Sequence, residues 1–441
     1  MVIKMKIKRK RIPYQIIALS YLSVILFGTI LLWLPWSIKS GEHLNLADAF
    51  FMATSSVCVT GLSVVPNVGS SFTIFGKIVM AVLIEIGGLS FITFAVFFFI
   101  ITGSKIGIAN RFLIKEALNQ NSVTGIVKLI KVIIKIAFLI QIMGSVINFF
   151  AFIPFYSFWQ TIGISIFHSI SSFNNAGFDI FGFDSSMIPY ASNILLNVNT
   201  MFLIILGGIG FLVIDEVMRR KHWRKFSLNT KIVLQTTFFL IIFGTLSLKL
   251  AMNSSFTWLQ ALFLSVSSRT AGFASTDISK INNPAYLTLI FLMFIGASPT
   301  STGGGLKTTT LFVLIITIIS YARGRQTNAY YRKIHEHSIF KAFSLVALAL
   351  MFVSFIILLI SFFEPALGIK EIAFEVISAF GTVGLSMGIT SYFSIISKLL
   401  LCLTMFFGRL GPLTMISIWN SRWLSEANVN IQYVEEKIII G

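Results

Sequence analysis

Four short strips of this sequence carry backbone that could coordinate a cation. They read Val59-Thr60-Gly61-Leu62, Asn174-Asn175-Ala176-Gly177-Phe178, Arg269-Thr270-Ala271-Gly272-Phe273 and Gly381-Thr382-Val383-Gly384-Leu385. Each follows an apolar stretch and small hydroxyl residues, and each places Leu or Phe after its last glycine. Aligned on Gly61, Gly177, Gly272 and Gly384, they recur at intervals of 116, 95 and 112 residues, a repetition that outranks any single motif. Four such strips around one axis would offer rings of carbonyl oxygens in place of a hydration shell, and glycine permits the backbone angles that aim them inward. No Asp or Glu lies within three residues of Gly61, Gly272 or Gly384, and only Asp179 is near Gly177. A carboxylate ring for divalent ions is therefore not supplied. The chemistry is exchange of water for carbonyl oxygen around a monovalent cation, so the chain reads as no enzyme.

The elements that must hold these strips are membrane helices. Of 441 residues, 56% are hydrophobic, 11% are charged and 45 are Phe, more apolar surface than a soluble domain could bury around one core. Eight stretches reach the ~20 apolar residues of a transmembrane helix. They cover roughly 16–36, 74–101, 129–155, 194–217, 232–252, 285–320, 342–363 and 395–419. The apolar segments before the four glycines, at ~10–14 residues, are too short to cross and long enough to dip in and return. Non-helical backbone at that depth survives only against protein or a water-filled cavity. The half-helices would also direct their partially negative C-terminal ends at one place. The expected fold is all-α and integral to the membrane, with eight transmembrane helices in four helix/pore-loop/helix repeats around a pseudo-fourfold pore. The expected divisions are 1–117 (repeat one with a basic N-terminus), 118–227 (repeat two), 228–330 (repeat three) and 331–441 (repeat four and tail).

Charge sets the orientation. With the N-terminus inside, the inner segments hold 25 of the 34 Lys and Arg residues and the outer segments six, as the positive-inside rule requires of cytoplasmic termini. A multi-pass protein of the plasma (cell) membrane follows, with a retained first helix rather than a cleaved signal peptide. The net charge of +18 does not imply nucleic acid, because no basic patch is interleaved with aromatics on a soluble module. Cys58 and Cys402 read as two buried thiols.

The stretch at 285–320 contains a break, Gly296-Ala297-Ser298-Pro299-Thr300-Ser301-Thr302-Gly303-Gly304-Gly305-Leu306-Lys307-Thr308. A continuous lipid-facing helix cannot contain it. A phosphate-loop reading fails, since Leu306 rather than glycine precedes Lys307 and no strand leads into the loop. The corresponding breaks Gly87-Gly88, Gly207-Gly208 and Gly408 to Pro412 read as much milder. Arg409, set among apolar neighbours, is an intramembrane cation and functional by default. Arg269 has five donors and reads as a brace for carbonyls. Glu85 reads as an inter-helix hydrogen-bonding residue, His168 as a packing residue, and Asp215 and Glu216 as interfacial partners of Arg219.

The four strips resemble the selectivity-filter segments of the Trk/Ktr/HKT superfamily of potassium uptake proteins, essentially end to end, and within it the Ktr-type membrane subunits. That narrower likeness rests on length, eight spans without leading helices, the segment 115–120 and the Arg-Thr-Ala-Gly-Phe strip. The resemblance implies a potassium filter of Val59, Thr60 and Gly61, of Asn175, Ala176 and Gly177, of Thr270, Ala271 and Gly272, and of Thr382, Val383 and Gly384. Glycine at all four key positions goes with potassium preference in this family. It further implies that Gly296 to Gly305 and Lys307, within 296–308, form an intramembrane gate under the filter, braced by Arg409. K+ is the implied permeant ion, with Na+ as a second, permeant or stimulating, ion. A homodimer, a cytoplasmic ring of nucleotide-binding regulatory subunits of the KtrA/KtrC type and a C-terminal segment 431–441 tucked into the dimer interface are implied as well, in contact with membrane lipid.

A secondary transporter with broken helices is the alternative. It predicts two related halves with discontinuous helices in matching positions, against four units and one strong break here. An intramembrane enzyme lacks a metal cluster or a Ser/His or Asp/Asp pairing within the spans.

Overall fold

The computed structural model describes residues 13–90, 93–94, 96, 126–182 and 186–411. The basic tail before Pro13, the segment 115–120, the tail 431–441 and the ends of the second and eighth expected spans lie outside the described residues.

Helices dominate. In chain order they are α1 (Pro13–Trp33), α2 (Leu46–Val57), α3 (Val68–Ser71), α4 (Ile74–Leu89), α5 (Ile126–Phe152), α6 (Phe158–Phe173), α7 (Ile194–Ile209) and α8 (Phe211–Arg220). They continue with α9 (Leu228–Met252), α10 (Trp258–Ser267), α11 (Asn283–Phe294), α12 (Thr308–Ala322), α13 (Glu336–Phe363), α14 (Ile369–Gly381) and α15 (Ile395–Leu410). Side-chain caps fix where many of them start. Asn45 accepts from the Asp48 amide, Thr73 from Gly76, Asn193 from Leu196 and Ser227 from Thr230. Thr257 and Gln260 form a reciprocal capping box on α10, which satisfies donors the first turn would otherwise leave bare.

Among the described residues α1, α5, α9 and α13 are long and apolar enough to cross a membrane, and the α7–α8 pair makes a fifth if counted as one span. The four long helices coincide with the stretches expected at 16–36, 129–155, 232–252 and 342–363. Their outward faces carry Leu26, Phe27, Ile142, Phe150, Phe238, Met351 and Phe362 exposed, while Ser55, Ser171, Ser267, Thr270 and Thr382 are buried. Apolar outside and hydroxyl-bearing inside is the distribution expected when lipid is the solvent.

Each long helix is followed by a short one, α2, α6, α10 or α14, then by one of the four strips, then by a further helix. The packing between these groups is cyclic: α4 lies on α6, α7 on α10, α11 on α14 and α15 on α2.

The breaks differ from expectation. The helix expected across 194–217 bends by 97° between α7 and α8, so the interruption in the second group is sharp rather than mild. Its pivot is Gly210, at φ 94° and ψ 140°, a conformation open to glycine and costly to other residues. Ser90 ends α4 at φ 73°, ψ 133° and Gly411 ends α15 at φ 86°, ψ 144°. The third group replaces this single residue by the thirteen-residue segment 295–307 between α11 and α12. The sequence displays only the long polar break of the third group plainly, whereas one residue at positive φ is enough to turn a helix.

Candidate functional site

The site grows from the last turn of each short helix. Two residues before each aligned glycine the backbone enters the left-handed region: Val59 at φ 57°, Asn175 at 59°, Thr270 at 92° and Thr382 at 49°. Gly61, Gly177, Gly272 and Gly384 return to positive φ at 91°, 71°, 75° and 92°. The residues between them, Thr60, Ala176, Ala271 and Val383, keep negative φ. Alternation of hand flips successive peptide planes, so that consecutive carbonyls lean to one side of the strip. Three of the left-handed residues are β-branched, where such angles are rare, and backbone strain of ~1–3 kcal/mol per residue is characteristic of functional sites.

The four glycines meet. A Cβ built on Gly61 would fall against the Ala176 carbonyl oxygen and 3.1 Å from the Gly177 Cα. On Gly177 it would lie 2.6 Å from the Ala271 oxygen and 3.2 Å from the Gly272 Cα. On Gly272 it would fall against the Val383 oxygen, 3.0 Å from the Gly384 Cα, and on Gly384 against the Thr60 oxygen, 3.0 Å from the Gly61 Cα. The succession closes on itself. All twelve strip residues singled out in the sequence are thus brought into one ring, and the eight that are not glycine are fully buried.

Serines hold each strip to its short helix, and sequence reasoning did not single them out. The amides of Thr60, Ala176, Ala271 and Val383 donate to the carbonyls of Ser55, Ser171, Ser267 and Ser378 at 2.8–2.9 Å. The Ser55 and Ser378 hydroxyls accept from the amides of Gly61 and Gly384, both at 3.1 Å. The Ser171 and Ser267 hydroxyls donate instead to the carbonyls of Phe178 and Phe273, both at 2.6 Å. The available signal was a serine six residues before the glycine in three strips and five before it in the third. Strips two and three are joined laterally by the Asn175 side-chain amide and the Thr270 hydroxyl, 2.9 Å apart.

The segment 295–307 lies against the ring. The Gly304 amide donates to the Thr382 hydroxyl at 2.9 Å, and a Cβ on Gly303 would press on the Thr270 side chain. Its other amides are spread over neighbouring groups: Ser298 donates to the Gly208 carbonyl, Thr302 to Gly207 and Gly305 to Gly408, at 3.0–3.2 Å. In the other direction the Thr300 carbonyl accepts from the Phe211 amide at 3.1 Å. Ser298 and Thr308 share a hydroxyl contact of 2.9 Å across the neck of the loop. Lys307 donates its ammonium to the carbonyls of Gly303, at 2.8 Å, and Gly304.

Arg409 joins three groups. One guanidinium nitrogen donates to the Thr302 carbonyl, the other to the carbonyls of Gly87 and Gly88. Backbone oxygens thus accept from a cation in an apolar setting, which offsets part of the cost of placing it there. Arg269 is buried and donates to the Thr237 carbonyl of α9 at 3.2 Å, which ties strip three to a long helix rather than to its own short helix. Glu85 accepts from Gln141 of α5 at 2.9 Å and from Asn174 at 2.6 Å, linking helices as its sequence context suggested. His168 packs among Phe152, Phe181 and Phe273 and shares a 2.9 Å hydrogen bond with Thr200. Arg219 pairs with Asp215 at 2.8 Å, and Arg220 with Glu216 at 3.0 Å. Cys58 and Cys402 are free, buried thiols in one apolar cluster.

Comparison with known proteins gives matches along most of the chain. The family model described as TrkH, cation transport protein, matches residues 4–422. The chain is 37% identical to the potassium/sodium uptake protein NtpJ of Enterococcus hirae, with 100% of both chains covered. It is 36% identical to the Ktr system potassium uptake protein B of Bacillus subtilis, covering 97% of each. Among solved structures, the potassium transporter TrkH of Vibrio parahaemolyticus superposes with a TM-score of 0.72 at 20% identity, covering 96% of this chain and 88% of that one. A chain with several apolar helices that matches this family over most of its length is embedded in the membrane by multiple passes: it belongs to the TrkH family of cation transport proteins.

Proposed function

We propose that this chain is the membrane subunit of a Ktr-type potassium uptake system and conducts K+ through the ring made by its four strips. The observation that carries the reading is the closed succession of Gly61, Gly177, Gly272 and Gly384, each flanked by a carbonyl of the next strip. Four backbone strips of alternating hand present oxygen on one side, and a ring of carbonyl dipoles replaces the water of a monovalent cation without a fixed charge that would trap it. The names carried by relatives, potassium/sodium uptake protein and Ktr system potassium uptake protein, favour K+ as the substrate, with Na+ as a second permeant or stimulating ion.

The remainder of the reading follows from the same arrangement. Eight spans form four pore-loop repeats, divided near residues 117, 227 and 330, with both termini in the cytoplasm of the plasma membrane. The segment 296–308 is the gate: its glycines abut Thr270 and Thr382, and Arg409 holds it to the first group. Two copies form a homodimer, on whose cytoplasmic face a ring of nucleotide-binding subunits moves the gate. A two-halved carrier is less well supported, because a helix ends at the corresponding place in all four groups rather than in two.

Expression with the regulatory subunit in a bacterial strain deficient in potassium uptake tests the proposal. Restored growth at low potassium is expected, and no restoration with the protein in the membrane overturns it.

A further inference from the structure

Glu375 lies on α14, nine residues before Gly384, and is fully buried. The equivalent positions before the other three ring glycines are Met52, His168 and Phe263. The second and fourth strips, which face each other across the ring, are therefore backed by polar side chains, and the first and third by apolar ones. No salt bridge reaches Glu375 among the described residues. A buried carboxyl group without a cation persists only if its oxygens are hydrogen-bonded.

All three of its donors come from the segment that leaves strip four. The Ser386 hydroxyl donates to Oε1 at 2.5 Å, the Met387 amide to the same oxygen at 3.0 Å, and the Thr390 hydroxyl to Oε2 at 3.0 Å. Ser386 in turn contacts Thr390 at 3.1 Å and accepts from the Gly388 amide at 2.9 Å. The Gly384 amide is already held from the other side by the Ser378 hydroxyl on the same helix. Strip four is thus anchored to α14 at two levels, by Ser378 at the ring and by Glu375 beyond it.

We infer that Glu375 is a positioning residue that fixes the outer end of the fourth strip and so sets the preference for potassium over sodium. The inference rests on the proposed cation path. A ring discriminates between ions through the spacing and stiffness of its oxygens, and a strip released at its outer end can close around a smaller ion. The effect belongs to the acceptor geometry. Glutamine keeps one carbonyl oxygen for Ser386 and Met387, and its amide can donate to a rotated Thr390 hydroxyl.

The full chain, with its regulatory subunit in liposomes, is assayed for K+ and Na+ flux. Glu375→Ala is expected to lower the potassium-to-sodium flux ratio about tenfold, the scale of a lost hydrogen bond to a charged group. Glu375→Gln is expected to stay within about twofold of wild type, since the acceptor is kept. A thiol introduced by Met387→Cys should react faster with an external reagent in the Ala background than in the Gln background. The double variant Ser386→Ala/Thr390→Val removes donors while leaving the helix intact, and carries the test if the Ala variant does not reach the membrane. A wild-type ratio in Glu375→Ala, or in the double variant where that replaces it, overturns the inference. So does a Gln variant as impaired as Ala. A wild-type chain that carries no K+ overturns the proposed function and this inference with it.

Discussion

The Cα of Gly61 lies 3.0 Å from the position a Cβ on Gly384 would occupy, so the last strip of the chain closes against the first. A polypeptide whose four strips are separated by hundreds of ångströms of contour folds them into one contact. The atoms nearest to the four glycines belong to backbone, and the oxygens among them are those of Thr60, Ala176, Ala271 and Val383.

Gly61→Ser is therefore expected to act twice. Its Cβ falls against the Ala176 carbonyl, and its φ of 91° costs an L-residue roughly 1–2 kcal/mol. The displaced oxygen should cost potassium preference, seen as a lower potassium-to-sodium flux ratio in the variant. An unchanged ratio removes the first glycine from the ring.

Ser55→Ala and Ser378→Ala each strip an acceptor from a ring glycine amide. An amide left unpaired at that depth costs about 1–3 kcal/mol. Both variants should lose ion discrimination while still inserting into the membrane. Ser55→Thr, which keeps the hydroxyl, should retain more of it. Flux ratios with membrane protein quantified in parallel distinguish these outcomes.

The ring was legible because repetition is a property of the chain. Four glycines in equivalent contexts need no tertiary information, and the four long apolar helices were found within a few residues of their ends. Legibility ended where the answer depended on partners remote in sequence. Arg409 could be recognised as an intramembrane cation, yet its acceptors Thr302, Gly87 and Gly88 are backbone atoms that carry no residue signature. Gly210 was passed over in favour of Gly207 and Gly208. Those two face the short helix and strip, with Gly207 against the Phe173 carbonyl, whereas the turn belongs to the residue at positive φ. Glu375 carries no signal in the sequence, because its donors follow the strip and are gathered only by the fold.

Arg409→Gln shortens the reach of the guanidinium and removes its charge, and deletion of residues 303–305 removes the loop that it holds. Loss of hydrogen bonds from a charged donor costs ~1.5–3 kcal/mol each, enough to shift a two-state gate by about tenfold or more. Both variants should raise potassium flux measured without the regulatory subunit, and neither should raise the potassium-to-sodium ratio. Flux that remains low and partner-dependent in both would remove the gate from the reading.

Lys398 of α15 and Asp48 of α2 meet at 2.7 Å across the junction of the last and first groups, with side chains 12% and 19% exposed. A pair this secluded contributes little over an apolar replacement, but removal of one partner strands the other, at ~3–5 kcal/mol. Asp48→Asn and Lys398→Met should each lower the melting temperature of the detergent-solubilised protein by several degrees. The double variant, with no stranded charge, should recover a large part of that loss. Since α15 packs on α2 only where the circle of groups is completed, the single variants should loosen the contact between the first and fourth strips before the rest unfolds. Sodium leak at temperatures below the melting transition is the expected sign. Single variants as stable and as selective as wild type would mean that this pair takes no part in closing the ring.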